Sequence, residues 1–128
     1  MKREKIHLEY PLSATSRNIL WTSISTPSGL ENWFADKVTA NDKNVTFYWG
    51  KTEQREAEMI ASRIYSFVRF RWTDDSEESD YFEIKMICNE LTSDYGLEIT
   101  DCAVPDEVSE TVSMWNSLIA KLRRTCGF

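Results

Sequence analysis

The segment from Pro105 to Gly127 constrains the fold of this chain more than any other. Val108, Val112, Trp115, Leu118, Ile119, Leu122 and Cys126 recur at three- and four-residue steps, the spacing of a helix with one apolar face. Pro105 opens the segment, and Asp106, Glu107 and Glu110 crowd its first turns, where the positive end of a helix favours anions. Lys121, Arg123 and Arg124 lie at the opposite, negative end, and Gly127 stands where a left-handed cap residue belongs. A helix of about 20 residues is roughly 30 Å long. This one is too apolar on one side to stand alone, so the rest of the chain must supply a broad apolar surface to receive it.

That surface is written in alternation. Ile6, Leu8 and Tyr10 alternate with His7 and Glu9, a half-buried strand that Pro11 is expected to end. Ser13 to Ser16 are helix-capping types ahead of Ile19, Leu20, Trp21 and Ile24. Thr26 and Pro27 then start a second helix in which Leu30, Trp33 and Phe34 share a face. Two short helices therefore cover about Ser13 to Asp36. From Val38 the period becomes two, with a turn at Asn41 to Asn44. Val45, Phe47 and Trp49, then Ala57, Met59 and Ala61, then Val68, Phe70 and Trp72 form successive apolar phases. Phe82, Ile84, Met86 and Cys88, and finally Tyr95, Leu97 and Ile99, complete an antiparallel meander. Asp74 to Asp80 holds five acids in seven residues and reads as a solvated hairpin loop.

Charge and cysteines narrow the classes of function. The 15 Lys and Arg against 21 Asp and Glu leave a net charge of −6, which repels nucleic-acid phosphates and anionic membrane surfaces. The basic groups at Lys2 to Lys5, at Arg69 and Arg71, and at Lys121 to Arg124 are too short and scattered to reverse that. Cys88, Cys102 and Cys126 form no CxxC, so neither a metal site nor a disulfide framework is expected. Met1 to Lys5 are charged, but residues 6–11 alternate instead of forming the apolar core of a signal peptide, and no stretch is apolar enough to span a bilayer. The expectation is one cytoplasmic domain covering residues 1–128.

One strand, two short helices, about six antiparallel strands and a long terminal helix is an order similar to the helix-grip fold of the START/SRPBCC superfamily, which includes birch-pollen-allergen and polyketide-cyclase types. Ser25-Thr26-Pro27-Ser28-Gly29-Leu30-Glu31-Asn32-Trp33-Phe34-Ala35-Asp36 resembles the T-P-x-x-L-x-x-W-F segment of bacterial relatives of the heat-shock-protein-90 ATPase activator. Tyr65 to Trp72 resembles the hairpin that follows in a START-like subgroup. Leu97 to Asp101, running into Pro105-Asp106-Glu107 and the helix around Trp115, resembles its end. The resemblance implies an α+β fold in which a curved antiparallel sheet of six to seven strands wraps round the C-terminal helix. It also implies an apolar cavity between sheet and helix, with Trp33 and Phe34 at the entrance and Phe70, Trp72, Met86, Ile99, Trp115 and Ile119 on the walls.

The residues offer little chemistry beyond binding. His7, the only histidine, lies on the polar phase of the first strand, so no metal cluster or triad forms around it. Cys88 and Cys126 read as small buried hydrophobes. Glu56 and Glu58 share a face and read as a solvated surface meeting Arg69 and Arg71, with Glu83 a further partner for the arginines. No nucleophile elbow, glycine-rich phosphate loop or spaced calcium loop is present. The leading expectation is therefore a non-enzymatic, cofactor-free domain binding a small hydrophobic or lipid-like ligand, with Tyr48, Tyr95 and Trp33 as candidate polar groups. The alternatives are an interaction module of co-chaperone type, engaging a protein partner or a second copy of itself, and a small enzyme of cyclase type.

Overall fold

The computed structural model of the chain describes residues 3–74 and 80–128. Strand β1 (Glu4–Ala14) leads into helices α1 (Arg17–Ser25) and α2 (Pro27–Leu30). Six strands follow: β2 (Lys37–Asn41), β3 (Asn44–Trp49), β4 (Glu53–Arg63), β5 (Phe67–Trp72), β6 (Phe82–Cys88) and β7 (Tyr95–Ala103). A 3-10 turn at Pro105–Glu107 then opens helix α3 (Val108–Cys126). Among the described residues the strands form one antiparallel sheet in the order β1-β7-β6-β5-β4-β3-β2, so β1 returns to lie beside the last strand. This is the helix-grip arrangement. The middle of the Asp74 to Asp80 run lies outside the described residues.

Local chemistry fixes the helix boundaries. The Ser16 hydroxyl accepts from the Ile19 amide at 3.2 Å and caps α1. Thr26 serves both helices: its amide donates to the Thr22 carbonyl, and its hydroxyl accepts from the Gly29 amide at 3.0 Å, with Pro27 in the first turn of α2. The second helix ends after one turn, so Trp33 and Phe34 come from the turn that follows it. At the far end, Gly127 (φ 74°) caps α3 in the left-handed conformation and donates to the Arg123 carbonyl.

Pro11 does not end β1. The strand continues to Ala14 through a register shift between Tyr10 and Ala14, the kind of irregularity where a residue without an amide proton is tolerated. The terminal segment props this stretch, since Arg123 donates to the Pro11 carbonyl at 2.7 Å and the Tyr10 hydroxyl to Asn116 at 2.7 Å. Burial pushes the Tyr10 phenol up from its ordinary value, with Arg123 opposing. A methyl group at Gly96 would lie 2.6 Å from the Tyr10 carbonyl, and one at Gly29 would collide with the Thr22 carbonyl. Both close approaches involve main chain that cannot yield cheaply. Gly96→Ala and Gly29→Ala are therefore each expected to destabilise by about 1–3 kcal/mol in urea unfolding; no change at either position would contradict the packing described here.

The inner face of the sheet and α3 enclose the core. Trp33, Phe47, Phe70, Phe82, Leu20, Ile24, Ile84, Leu97, Ile99, Trp115, Ile119 and Leu122 are each under 2% exposed. Cys88 is exposed, not buried, because it ends β6 beyond the cover of the helices, while Cys126 is half-buried with its sulfur 3.9 Å from the Ser23 hydroxyl. On the outer face a cross-strand row runs His7, Thr100, Glu83, Arg69. His7 is exposed and its Nδ1 lies 3.2 Å from the Thr100 hydroxyl. Arg69 pairs with Glu83 at 2.8 Å, and Arg71 has Glu58 as its register neighbour.

Candidate functional site

Strands β3, β5 and β7 end, and β1, β4 and β6 begin, at the same edge of the sheet. There the N-terminal half of α3 stands away from it. The helix seals firmly only through Trp115, Ile119 and Leu122; Val108 and Val112 are half-buried. The gap is a cavity of about 560 Å³. Pockets that take small molecules commonly measure about 300–1,000 Å³.

Its floor is aromatic. Phe34 stacks on Phe82 with ring centroids 5.6 Å apart and lies 5.7 Å from Trp115; Trp72 approaches Phe82 at 5.0 Å and Trp49 at 6.4 Å. The Trp49 indole donates to the Phe34 carbonyl at 2.9 Å and so fastens the turn after α2 to β3. Met114, Trp115 and Leu118 form the helical wall, with Thr111 one turn nearer the mouth.

Polar groups ring this floor. The Trp115 indole donates to Asp101 Oδ2 at 2.8 Å, and the Cys102 amide donates to the other oxygen of that carboxylate at 2.7 Å, which fixes the ring's orientation. Arg3 pairs with Asp80 at 3.1 Å. Arg55 pairs with Asp74 at 2.8 Å while its guanidinium lies 4.0 Å over the Trp72 ring. The hydrogen bond from Arg55 holds the Asp74 carboxyl below its usual range. Burial pushes the Cys102 thiol up, and its sulfur faces the Tyr81 carbonyl at 3.7 Å, so little thiolate is present at neutral pH. Glu53 and Glu107 complete the rim.

Of the residues singled out from the sequence, Phe34, Trp72 and Trp115 line the cavity. Trp33, Phe70, Met86, Ile99 and Ile119 lie in the surrounding core. Trp33 is wholly buried, its indole donating to the Ser23 carbonyl at 2.8 Å. Tyr48 faces outward under Lys37, and Tyr95 lines a second depression of about 340 Å³ at the opposite sheet edge, beside Glu9 and Cys88. Sequence reasoning missed Trp49, Phe82, Arg3, Glu53, Arg55 and Asp101 as lining residues. Phase was the available signal for all of them but Arg3: Trp49 shares the inward phase of Phe47, Phe82 that of Ile84, Glu53 and Arg55 that of Ala57, and Asp101 that of Ile99.

Comparison with known proteins agrees with this architecture. The sequence model of the START-like superfamily domain matches residues 1–128, and the chain belongs to that superfamily. The solution structure of the BfR322 protein from Bacteroides fragilis is 66% identical, with all of this chain and 94% of that one covered and a TM-score of 0.69. The Aha1 dimer from Colwellia psychrerythraea is 12% identical, with 95% of this chain and 93% of that one covered and a TM-score of 0.71. DynU16, from the dynemicin biosynthetic locus, is 15% identical, with 95% of this chain but 46% of that one covered and a TM-score of 0.73. The last two likenesses carry the fold alone. No curated protein matches the sequence. Among the described residues no helix is long and apolar enough to cross a membrane.

Proposed function

We propose that this START-like domain binds a small hydrophobic ligand in the cavity between the sheet edge and the N-terminal half of α3, without transforming it. The START-like fold commonly binds hydrophobic ligands. The observation that carries the reading is the floor of Phe34, Trp49, Trp72, Phe82 and Trp115 beneath a space of about 560 Å³. Phe34, Phe82 and Trp115 are buried at its base, while Trp49 and Trp72 are half-buried and keep surface that an occupant would remove from solvent, at about 25 cal/mol per Å². Phe34, Trp72 and Trp115 are the ligand contacts among the residues first singled out; Trp33 and Phe70 lie in the core outside the lining.

Titration with the neutral fluorescent probe N-phenyl-1-naphthylamine tests this. Saturable one-to-one binding is expected. Thr111→Trp, which places an indole in the space from the half-buried side of α3, should weaken binding at least about tenfold with little change in melting temperature. Binding that is absent, or that is untouched by Thr111→Trp in a folded variant, would contradict the reading.

A further inference from the structure

Among the described residues the rim of the cavity is not electrically balanced. Two guanidiniums reach it, and each already has a carboxylate: Arg3 is matched by Asp80, and Arg55 by Asp74. Glu53, at the start of β4, and Glu107, at the mouth of the cavity before α3, have no ion-pair partner among the described residues. They approach from opposite walls, one on the sheet and one on the helical side, and both are exposed. The matched pairs cancel, so Glu53 and Glu107 leave the described part of the rim with surplus negative charge, within a chain of net charge −6.

The floor favours the same sign. Tryptophan ring faces are electron-rich and attract cations. Trp72 already carries the Arg55 guanidinium 4.0 Å from its centroid, Phe34, Phe82 and Trp115 are buried, and Trp49 is the half-buried floor ring left to meet an occupant. An anionic amphiphile entering here would have to displace Asp80 or Asp74 from its arginine and lie near Glu53 or Glu107. A cationic one meets the half-buried Trp49 and the carboxylates of Glu53 and Glu107 with no pair broken.

We infer that the ligand of this cavity is a cationic amphiphile, an apolar or aromatic body bearing an amine or quaternary ammonium group that meets Glu53 and Glu107. The inference rests on the hydrophobic-ligand reading and adds the charge of the occupant. Its test uses three probes with one ring system: 2-naphthylmethylammonium, 2-naphthylmethanol and 2-naphthoate, titrated against the whole chain by tryptophan fluorescence. The ammonium probe should bind about five- to tenfold tighter than the alcohol, with the carboxylate weakest. That preference should shrink to about twofold or less in the Glu53→Gln/Glu107→Gln variant, and also on raising sodium chloride from about 0.05 to about 0.5 M. Both positions are exposed, so the double variant tests charge without threatening the fold. Equal binding of all three probes, tighter binding of the carboxylate, or a preference that survives the double variant would overturn the inference while leaving a hydrophobic pocket in place. Failure of all three to bind would remove the pocket reading itself.

Discussion

Trp115→Ala is expected to cost about 3–5 kcal/mol of folding stability, which for a domain of this size lowers the thermal midpoint by roughly 10–20 °C. Trp115 is 1% exposed, and its ring bridges α3 to Phe34 and Phe82. It is also the first residue from the N-terminal end of α3 to be buried. Truncation opens a void at the point where helix and sheet first meet. It also removes the indole donor from Asp101 Oδ2, although the Cys102 amide still holds the other oxygen. Trp115→Phe separates the two contributions: it keeps most of the apolar contact and should lose only about 1–2 kcal/mol, the cost of the missing hydrogen bond. Urea unfolding of both variants decides the matter. A loss below about 1 kcal/mol for Trp115→Ala would mean that the helix is held to the sheet by something other than this ring.

Trp33→Ala is expected to destabilise by a similar amount, about 3–5 kcal/mol, for a different reason. Trp33 has no exposed surface and ties the corner between α1 and α2 together, its indole donating to Ser23 and its ring edge-on to Phe34 at 5.7 Å. It lies outside the cavity lining, so any Trp33 variant that remains folded should keep its affinity for a bound probe. Trp33→Phe, which leaves the Ser23 carbonyl without its donor, should cost about 1–3 kcal/mol and bind normally. A Trp33→Ala protein of full stability that has lost binding would instead place this ring at the mouth of the pocket.

These two tryptophans show how far the sequence could be read. Periodicity exposes which face of an element is apolar, because helices repeat every 3.6 residues and strands every two. The stripe through Val108, Trp115 and Leu122 and the alternation through Val68, Phe70 and Trp72 were legible for that reason, and with them the architecture. Periodicity does not report how far one apolar face stands from the next. Whether Trp33 fills a core or Trp72 borders a cavity depends on where α3 departs from the sheet, a distance set by the whole assembly. The continuation of β1 past Pro11 was hidden likewise, because the register shift that accommodates it needs both Gly96 opposite and Arg123 behind. Cys88 had the correct phase and the wrong depth: it ends its strand outside the layer that the helices cover.

The charged rim was obscured by habit of another kind. Acids and arginines in alternating strands normally face solvent, and Glu56, Glu58 and Arg69 do lie on the outward side. Arg55 and Asp101 fall in the inward phase, and an inward charge needs a partner there: Asp74 and the Trp72 ring for one, the Trp115 indole and the Cys102 amide for the other. Their phase alone marks the end of the sheet where the core gives way to a polar-rimmed space.

The five tryptophans allow the central claim to be tested in one spectrum, because each indole N–H gives its own resonance. Trp49, Trp72 and Trp115 line the cavity, whereas Trp21 and Trp33 lie away from it. Titration of the isotopically labelled protein with N-phenyl-1-naphthylamine, followed by nitrogen–proton correlation spectra, should move the signals of Trp49, Trp72 and Trp115 along one saturable curve and leave those of Trp21 and Trp33 in place. Movement of Trp21 or Trp33 with the other three unchanged, or no movement at saturating probe, would contradict a ligand site between the sheet edge and α3.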